Sequence, residues 1–261
     1  MAAIRIDRLN SIEKYVIKHK TASLEELASS FGVSMNTIRR DVKQLLDRGA
    51  LQKVYGGVSI KTEPLGQMFQ PFAQRSSRNV NEKELIGKLA ASLVDDGSSL
   101  FLDAGSTTPH ILPHLSEKSD ITVITHSLTA MCEAAKYPNL SAIALGGLYY
   151  QHTSSYVGIS TLDALEKMRI NTVFIAATGV STDHGVTNST YLEAEVKRKV
   201  VKCGSRVVLM ADHTKFDRSS PITFCDFSDL YCLVTDRMPP KEYVEVLKSN
   251  NVLLLCPGAE L

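Results

Sequence analysis

Several features that would place a chain in a membrane, in a secretory route or among nucleotide hydrolases are absent from these 261 residues. No apolar run approaches the roughly 18 residues that a membrane span needs, and residues 1–8 lack the apolar core of a signal peptide. The five cysteines are widely spread and form no Cys-x-x-Cys pair, which is typical of reduced thiols in the cytosol. We therefore expect a soluble, cytoplasmic protein.

Internal repeats, low-complexity tracts and a strong net charge are also lacking. The formal net charge is only +1, but residues 1–62 carry 11 Lys and Arg against six Asp and Glu, a net of +5 that leaves −4 for the remainder. A basic end is typical of nucleic-acid binding. The length and the 44% hydrophobic content are sufficient for two domains with sizeable cores.

A short amphipathic helix, a turn and a second helix are predicted between residues 24 and 46. The apolar positions of the first helix recur at i, i+3, i+4 and i+7 and are Leu24, Leu27, Ala28 and Phe31. Gly32 is expected to end this helix in a tight turn, and Ser34 to cap the next one. Two short helices joined by such a turn predict a helix-turn-helix, whose second helix enters a DNA major groove.

The second helix has two different faces. One is apolar and carries Ile38, Val42, Leu45 and Leu46. Asn36, Thr37 and Arg40 on the other side are predicted to read bases, because Asn and Arg match adenine and guanine edges. The complete predicted DNA-binding set, which includes phosphate and wing contacts, is Ser34, Asn36, Thr37, Arg39, Arg40, Lys43, Lys53 and Tyr55. The alternative is an ordinary solvated basic face, and the turn and the cap favour DNA binding over it.

The surrounding residues complete a winged helix-turn-helix domain over residues 1–61. A helix of about residues 5–19 precedes the motif, and strands over 50–54 and 58–60 form the wing around Tyr55-Gly56-Gly57. Residues 62–78 lose all periodicity and are predicted to be a linker. Residues 79–261 are predicted to form the second domain.

In the second domain, short apolar runs alternate with segments of helical pattern. A helix follows Asn79, and strands are predicted at 99–102, 121–125, 142–145, 173–177, 207–210 and 230–234. This alternation predicts an α/β fold with a parallel sheet covered by helices. Ligands of such sheets bind outside the carboxyl ends of the strands.

A loop of small residues and hydroxyls, Asp103-Ala104-Gly105-Ser106-Thr107-Thr108, directly follows one of these strands. Small residues let the backbone approach an anion, hydroxyls donate to it, and a helix N-terminus favours its charge. The alternative is a plain helix cap. Because no Gly-Lys-Ser/Thr follows at Walker spacing, we do not expect ATP hydrolysis.

Other strand ends and one helix supply further ligand candidates. A lysine after a strand could pair with a phosphate, and an adjacent aspartate could orient it or bind a sugar hydroxyl. The alternatives are tight turns for the glycines and solvated charges for the lysines. Together with the loop, the predicted effector-binding set is Asp103, Gly105, Ser106, Thr107, Thr108, Gly146, Gly147, Gly179, Lys197, Asp212 and Lys215.

No metal site, cofactor or catalytic residue is predicted. His110 and His114 have the i, i+4 spacing of a zinc helix, but Ile111 occupies the place of a catalytic Glu and Pro113 interrupts the segment.

The helix-turn-helix segment resembles the DNA-binding domain of the DeoR family of bacterial transcriptional repressors. The resemblance rests on Glu26-Leu27-Ala28, Phe31-Gly32-Val33-Ser34, Thr37-Ile38-Arg39-Arg40-Asp41 and Gly49-Ala50-Leu51. Tyr55 departs from the His that the family usually has before the paired glycines.

The rest of the chain resembles the sugar-phosphate-sensing domain of the same family, in residues 103–108, 146–147, 176–188 and 212–216. This resemblance implies a Rossmann-like α/β effector domain that shares its fold with ribose-5-phosphate isomerase. Residues 176–181 and 185–189 are most similar to repressors of inositol catabolism. His126 replaces an Asn that is common in the family.

The resemblance implies a homodimeric or homotetrameric repressor of a carbohydrate-catabolism operon, released from double-stranded operator DNA by a phosphorylated sugar or sugar acid. The alternative is an active sugar-phosphate isomerase or deaminase with an added DNA-binding module. Sugar isomerisation needs a general base, usually a carboxylate. The isomerases carry an acidic pair after the strand that corresponds to residues 173–177, where this chain has Thr178-Gly179-Val180-Ser181.

Overall fold

The computed structural model describes residues 8–9, 11–12, 15–16, 19, 21–47, 51–54, 57–60 and 72–258. The chain separates into two compact units, Met1–Gln67 and Met68–Leu261. The tip of the predicted wing at Tyr55-Gly56 and most of the predicted linker, residues 62–71, lie outside the described residues.

The first unit is a small helical domain with a three-stranded antiparallel sheet. Residues 8–9, 11–12, 15–16 and 19 are helical. They are followed by β1 (Thr21–Ala22), α1 (Leu24–Phe31), α2 (Met35–Asp47), β2 (Leu51–Val54) and β3 (Gly57–Ile60). Strand β3 pairs with β1 and with β2, so that β2 and β3 form the hairpin predicted as the wing.

Local chemistry explains where α1 begins and ends and where α2 begins. Ser23 Oγ accepts a hydrogen bond from Glu26 N at 3.1 Å, and Glu26 Oε2 accepts one from Ser23 N at 2.7 Å, forming a capping box. Gly32 ends α1 with a φ of +60°, a conformation that favours glycine. Ser34 Oγ accepts from Thr37 N at 3.3 Å, so the predicted cap of α2 is confirmed.

The apolar faces of the first unit meet in one core. Its buried members include Leu9, Ile12, Val16, Leu27, Ile38, Val42, Leu45, Leu51 and Val58. Each fully buried aliphatic side chain contributes about 1.5–3 kcal/mol. Packing of the predicted apolar stripes therefore holds the two short helices at a fixed angle, which isolated helices of this length would not maintain.

The second unit alternates strands and helices. Its helices are α3 (Phe72–Ser76), α4 (Val80–Ala91), α5 (Leu128–Ala134), α6 (Ile159–Glu166), α7 (Tyr191–Cys203) and α8 (Lys241–Ser249). Its strands are β4 (Ser99–Leu102), β5 (Ile121–Thr125), β6 (Leu140–Ala144), β7 (Leu148–Tyr150), β8 (Ser155–Val157), β9 (Ile170–Ile175), β10 (Gly179–Ser181), β11 (Gly185–Asn188), β12 (Gly204–Met210), β13 (Ile222–Cys225), β14 (Cys232–Val234) and β15 (Leu253–Leu255). The described residues of this unit also include the 3₁₀ segments Thr108–Leu115, His213–Lys215 and Phe227–Asp229.

Seven of these strands form one sheet in the order β15-β14-β12-β9-β4-β5-β6, and every neighbouring pair is parallel. The predicted parallel α/β architecture is thus confirmed. The chain leaves β4 toward β5 and β6 on one side and later returns to β9 on the other. Such a reversal point opens a crevice beyond the carboxyl ends of the two central strands.

Both faces of this sheet are covered, as parallel sheets require. Phe101, Val173 and Leu209 lie in one apolar cluster with residues of α7 and α8. Leu102, Phe174 and Val208, their immediate neighbours in sequence, lie in a second cluster with residues of α4 and of segment Thr108–Leu115.

The strand predictions were right for the central strands and incomplete elsewhere. The bounds of β4 and β5 agree with the prediction, whereas β9 and β12 begin three residues earlier than predicted. The hairpin β7–β8, the antiparallel sheet β10-β11-β13 and the edge strand β15 were not predicted. These strands have three or four residues, too few for an alternating pattern to be recognised.

The predicted linker was too long at its C-terminal end. Phe72–Ser76 forms α3 within the second unit, and Phe72 N donates to His152 O at 3.1 Å. The Lys83 ammonium also donates to the carbonyl oxygens of Arg75 and Arg78. A five-residue helix held by backbone contacts to distant residues carries no periodicity from which it could be predicted.

The segment that carries His110 and His114 is a 3₁₀ helix. With three residues per turn, positions i and i+4 do not share a face. The described residues contain no cluster of three or more His, Cys, Asp and Glu that could hold a metal ion. They also include no helix with the length and apolarity to cross a bilayer, and all five cysteines are free.

Candidate functional site

Helix α2 presents one buried and one exposed face, as its sequence predicts. Ile38, Val42 and Leu45 are at most 4% exposed. The exposed side chains on the opposite side are Asn36, Arg39, Arg40 and Lys43. Their amide, guanidinium and ammonium groups are therefore available to base edges and phosphates.

Thr37 differs from the other predicted base readers. Its hydroxyl lies 2.9 Å from Ser34 Oγ, and the side chain is only partly exposed. Both residues thus have a structural role at the start of α2. A hydroxyl in such a pair can still accept a further hydrogen bond, so a DNA contact by either one stays a prediction.

A cleft of about 460 Å³ lies between α1, α2 and the β2–β3 hairpin. Its lining includes three cations, Arg39, Lys43 and Lys53, and one carboxylate, Glu25. Lys53 is exposed on β2, as expected of a wing residue. The cations of α2 and of the wing thus surround one concavity, where a phosphate backbone would meet all three charges.

The orientation of α2 depends on a buried carboxylate that the sequence did not single out as functional. Asp41 is 1% exposed, and Arg8 Nε donates to its Oδ2 at 2.7 Å. This hydrogen bond raises the pKa of Arg8 above its ordinary value. Because the two residues are 33 positions apart, the pair fixes α2 to the N-terminal helical segment.

In the second unit, the polar contacts beyond the carboxyl ends of the central strands are organised around Asp103, which follows β4. Its Oδ2 accepts from Ala176 N at 2.8 Å and from the Lys197 ammonium, and its Oδ1 accepts from Gly105 N. Lys197 Nζ also donates to Ala176 O at 2.8 Å. The structure therefore brings the predicted ligands Asp103 and Lys197 together, but as a buried ion pair that joins β4, β9 and α7.

The loop after Asp103 contains residues that maintain its conformation and residues whose hydroxyls are available to a ligand. A Cβ on Gly105 would lie 2.4 Å from Ala176 Cβ, so only glycine fits there. Thr108 Oγ1 donates within the loop, with Asp103 O at 2.8 Å and Gly105 O at 3.1 Å. The hydroxyls of Ser106 and Thr107 make no hydrogen bond within the described part of the chain. These two hydroxyls are the ones that the loop can offer to an anion.

The other predicted glycines have different surroundings. A Cβ on Gly147 would lie 2.4 Å from Thr161 Oγ1, and one on Gly179 would lie 2.4 Å from Arg218 O. Both glycines are thus required by close packing. A Cβ on Gly146 would meet nothing within 4 Å, although Thr161 Oγ1 donates to its carbonyl at 2.8 Å.

Asp212 and Lys215 lie where β12 ends. Asp212 is buried, and its Oδ1 accepts from Thr214 N at 3.0 Å and from Asn79 Nδ2 at 3.2 Å. Lys215 is partly exposed. Asp212 therefore caps the segment that carries Lys215 and holds it against the start of α4.

Lys83 belongs to the same group and was missed by the sequence analysis. It is 3% exposed, and burial lowers its pKa to about 8, with Lys215 and Arg75 adding to this effect and Asp212 opposing it. A usable pattern was present, because Lys83 falls on the helical stripe of Ile86 and Ala90. Lys83 and Lys215 thus supply two neighbouring amines near the end of β12.

The low pKa of Lys83 should appear in the pH dependence of stability. Between pH 8 and 10.5 the unfolded chain keeps the Lys83 proton that the folded chain loses, so Lys83 contributes an increase of stability with pH. This contribution is at most about 1.4 kcal/mol per pH unit. In urea unfolding across this range, the slope of stability against pH should therefore be more positive in the wild type than in Lys83→Met, in which the other titrating groups are unchanged. An identical slope in both proteins would contradict the buried amine.

Two further polar groups near the crevice were also missed. Glu193 Oε2 accepts from Asn188 Nδ2 at 3.1 Å and from Thr190 Oγ1 at 2.9 Å. The solvated charge that was the alternative for Lys197 is excluded because this side chain is buried, as is Glu193, whereas the neighbouring Glu195–Arg198 pair is partly exposed. His126, after β5, is 2% exposed, and burial lowers its pKa.

Comparisons with known proteins assign both units to one family. A model described as "DeoR-like helix-turn-helix domain" matches residues 8–63, and one described as "DeoR C terminal sensor domain" matches residues 78–237. The chain is 36% identical over 250 residues to the HTH-type transcriptional regulator IolR of Bacillus subtilis (strain 168), covering 95% of this chain and 98% of the relative. It is 29% identical over 251 residues to the glycerol-3-phosphate regulon repressor of Escherichia coli (strain K12), covering 95% and 98%.

Among solved structures, a D-ribose-5-phosphate isomerase in complex with phospho-erythronic acid aligns with 51% of this chain and 52% of its own, with 17% identity and a TM-score of 0.39. The two domain matches occur in the expected order along the chain. Together with 36% identity to a transcriptional regulator over nearly the full length, they show that the chain belongs to the DeoR family of helix-turn-helix transcriptional regulators.

Proposed function

We propose that this protein represses a carbohydrate-catabolism operon and leaves its operator when a phosphorylated sugar or sugar acid binds the second unit. The observation that supports DNA binding is the exposure of Asn36 and Arg40 on the face of α2 opposite its buried face. A regulator of this kind acts where the chromosome is, so the proposal implies a cytoplasmic protein. The similarity of residues 176–181 and 185–189 to inositol-catabolism repressors favours an operon of that type.

The proposal that an effector binds the second unit is based on residues that follow β4 and β12. The hydroxyls of Ser106 and Thr107 have no partner within the described residues, and Lys215 carries a partly exposed ammonium. Hydroxyl donors and an ammonium suit a phosphate group. The name of one relative, the glycerol-3-phosphate regulon repressor, is consistent with a phosphorylated effector. Binding must favour a conformation with low operator affinity, because an effector shifts an equilibrium only through differential affinity.

We favour a regulator over an isomerase or deaminase because of the carboxylates around the crevice. Residues 178–181 after β9 include no carboxylate. The oxygens of Asp103 accept from Ala176, Lys197 and Gly105, and Oε2 of Glu193 accepts from Asn188 and Thr190. A general base needs a lone pair that can reach the substrate proton. Asp103 and Glu193 are instead buried and engaged by donors of the protein itself. Incubation with sugar phosphates should give no product, and turnover would refute this part of the proposal.

The DNA-binding half is tested by comparing two cations of α2. Arg40→Ala should weaken binding to the cognate operator by about 1–3 kcal/mol and relax base preference, because a bidentate contact to a base is lost. Lys43→Ala should weaken cognate and random DNA nearly alike, since a phosphate contact carries no sequence information. Fluorescence anisotropy with both DNAs measures the four affinities. Equal losses for the two variants on both DNAs would contradict the assigned roles.

A symmetric oligomer that binds paired half-sites is also expected. One small winged helix contacts few bases, and a two-fold protein requires a two-fold operator. Sedimentation should therefore show a dimer or tetramer, and footprinting should show two protected half-sites. A stable monomer that protects one half-site would contradict this expectation.

A further inference from the structure

His126 lies beside Asp103 on the same face of the central sheet. In the β4–β5 ladder Phe101 pairs with Ile124, and Asp103 and His126 each follow two residues later. Since side chains alternate along strands, both residues continue the face of Phe101 and Ile124 beyond the carboxyl ends of the strands. The charges of Asp103, Glu193 and Lys197 all act on His126, so the imidazole lies near these three side chains.

The imidazole is fixed in both orientation and tautomer. Its Nδ1 lies 2.8 Å from Tyr156 O, and its ring stacks on Phe101 with centroids 5.7 Å apart and planes at 16°. A carbonyl oxygen can only accept a hydrogen bond, so Nδ1 carries the proton. Because burial lowers the pKa of the ring below its ordinary value, the ring is neutral at pH 7 and above. The other nitrogen, Nε2, is therefore an acceptor with a lone pair and no proton.

This acceptor has no partner in the described part of the chain. His126 Nε2 is buried and makes no hydrogen bond there. The nearby Lys197 ammonium already donates to Asp103 and to Ala176 O. Buried polar atoms without a partner are rare and unfavourable in folded proteins, so an orphaned acceptor beside a ligand crevice indicates a donor that arrives with the ligand.

We infer that His126 is a specificity-determining residue whose Nε2 accepts a hydrogen bond from a hydroxyl group of the effector. The inference rests on the proposed function and narrows the effector class to phosphorylated compounds with a free hydroxyl at this position. A carbonyl, carboxylate or ether oxygen there would face Nε2 acceptor to acceptor and would be rejected. A site that demands a donor discriminates strongly against analogues that lack it.

The tautomer and the contact can be measured in the wild-type full chain by ¹⁵N NMR of labelled histidine. The probes are glycerol 3-phosphate, ribose 5-phosphate, glucose 6-phosphate and myo-inositol 1-phosphate, with binding followed by calorimetry. We expect a protonated Nδ1 and an unprotonated Nε2 in the free protein. A bound probe should move the Nε2 resonance toward that of a hydrogen-bonded acceptor. A protonated Nε2, or an Nε2 that a bound probe does not move because water remains its donor, would overturn the inference.

Variants provide a second, independent measurement. His126→Phe keeps an aromatic ring against Phe101 and removes the acceptor, and His114→Phe makes the same change at an exposed position. The affinity of the bound probe should fall about 2- to 12-fold in His126→Phe and stay unchanged in the control. One monodeoxy analogue of the probe should lack the hydroxyl that contacts Nε2. The wild type should bind this analogue more weakly than the probe, whereas His126→Phe should bind the analogue and the probe equally well.

The outcomes separate this inference from the function on which it rests. If the wild type binds a probe and His126→Phe binds it equally well, this inference fails and the proposed function stands. A wild type that binds none of the probes overturns both. A His126→Phe protein that does not fold leaves the NMR measurement on the wild type as the deciding test.

Discussion

Replacing Lys197 with methionine should lower the free energy of unfolding of the second unit by about 3–5 kcal/mol. The side chains of Lys197 and Asp103 are 4% and 0% exposed, and the variant leaves the carboxylate buried with only the backbone donors of Gly105 and Ala176. Removing one member of a buried pair is far more costly than removing both. Urea unfolding of the full chain, followed by circular dichroism, measures the loss.

An ion pair on the same helix provides the control. Glu195 and Arg198 are about one-third exposed, so Glu195→Gln should cost at most about 1 kcal/mol. The double variant Asp103→Asn/Lys197→Met should recover part of the loss of Lys197→Met, because it leaves no buried charge. A loss in Lys197→Met as small as that in the control would contradict a dry, buried pair.

Replacing Lys215 with alanine should raise the effector concentration needed for operator release by about ten- to a hundredfold, since charge-assisted contacts to phosphate are worth about 1.5–3 kcal/mol. Operator affinity without effector should stay near that of the wild type, because the change lies in the second unit. In cells the operon would remain repressed. Titrating the operator complex with the effector, followed by fluorescence anisotropy, gives the required concentration.

Lys248→Ala on α8 is the matched control, since this lysine is exposed and belongs to none of the strand-end loops. It should release operator at the wild-type effector concentration. Release of Lys215→Ala at that same concentration would remove Lys215 from the effector site. Loss of folding, which circular dichroism would detect, would instead assign Lys215 a structural role in its capped turn.

The parts of the fold that followed from sequence are those in which a local pattern and the tertiary environment agree. Strands β4 and β5 are continuous apolar runs that are buried on both faces, and α2 has a full-length apolar stripe. In these cases the hydrophobicity of each residue agrees with its burial, so the local pattern is sufficient to predict the element. Strand β11 contains Gly185, Thr187 and Asn188, whose burial depends on partners far away in sequence, so its pattern predicts a loop.

The candidate site was predicted in outline only. Asp103 was placed correctly at the end of β4, but nothing local indicates that its charge is met by Lys197, 94 residues later. Lys83 and Lys197 illustrate the reason for this failure. Lysine is almost never fully buried without a partner, and the periodicity of a segment does not reveal a partner that is distant in sequence. The tautomer of His126 depends in the same way on Tyr156 O, 30 residues away.

The position of β4 at the centre of the sheet has a consequence for synthesis on the ribosome. Its partner residue across the ladder to β9, Thr172 opposite Leu100, is added 72 residues later. At about 5–20 residues per second, that edge of β4 remains without its partner for about 4–14 s. The strand pairs of the first unit are contained within residues 21–60 and are complete before β4 is made. A nascent chain that stops before β9 therefore carries a complete first unit and, further along the chain, an open apolar strand edge, the kind of edge that pairs with other chains and aggregates.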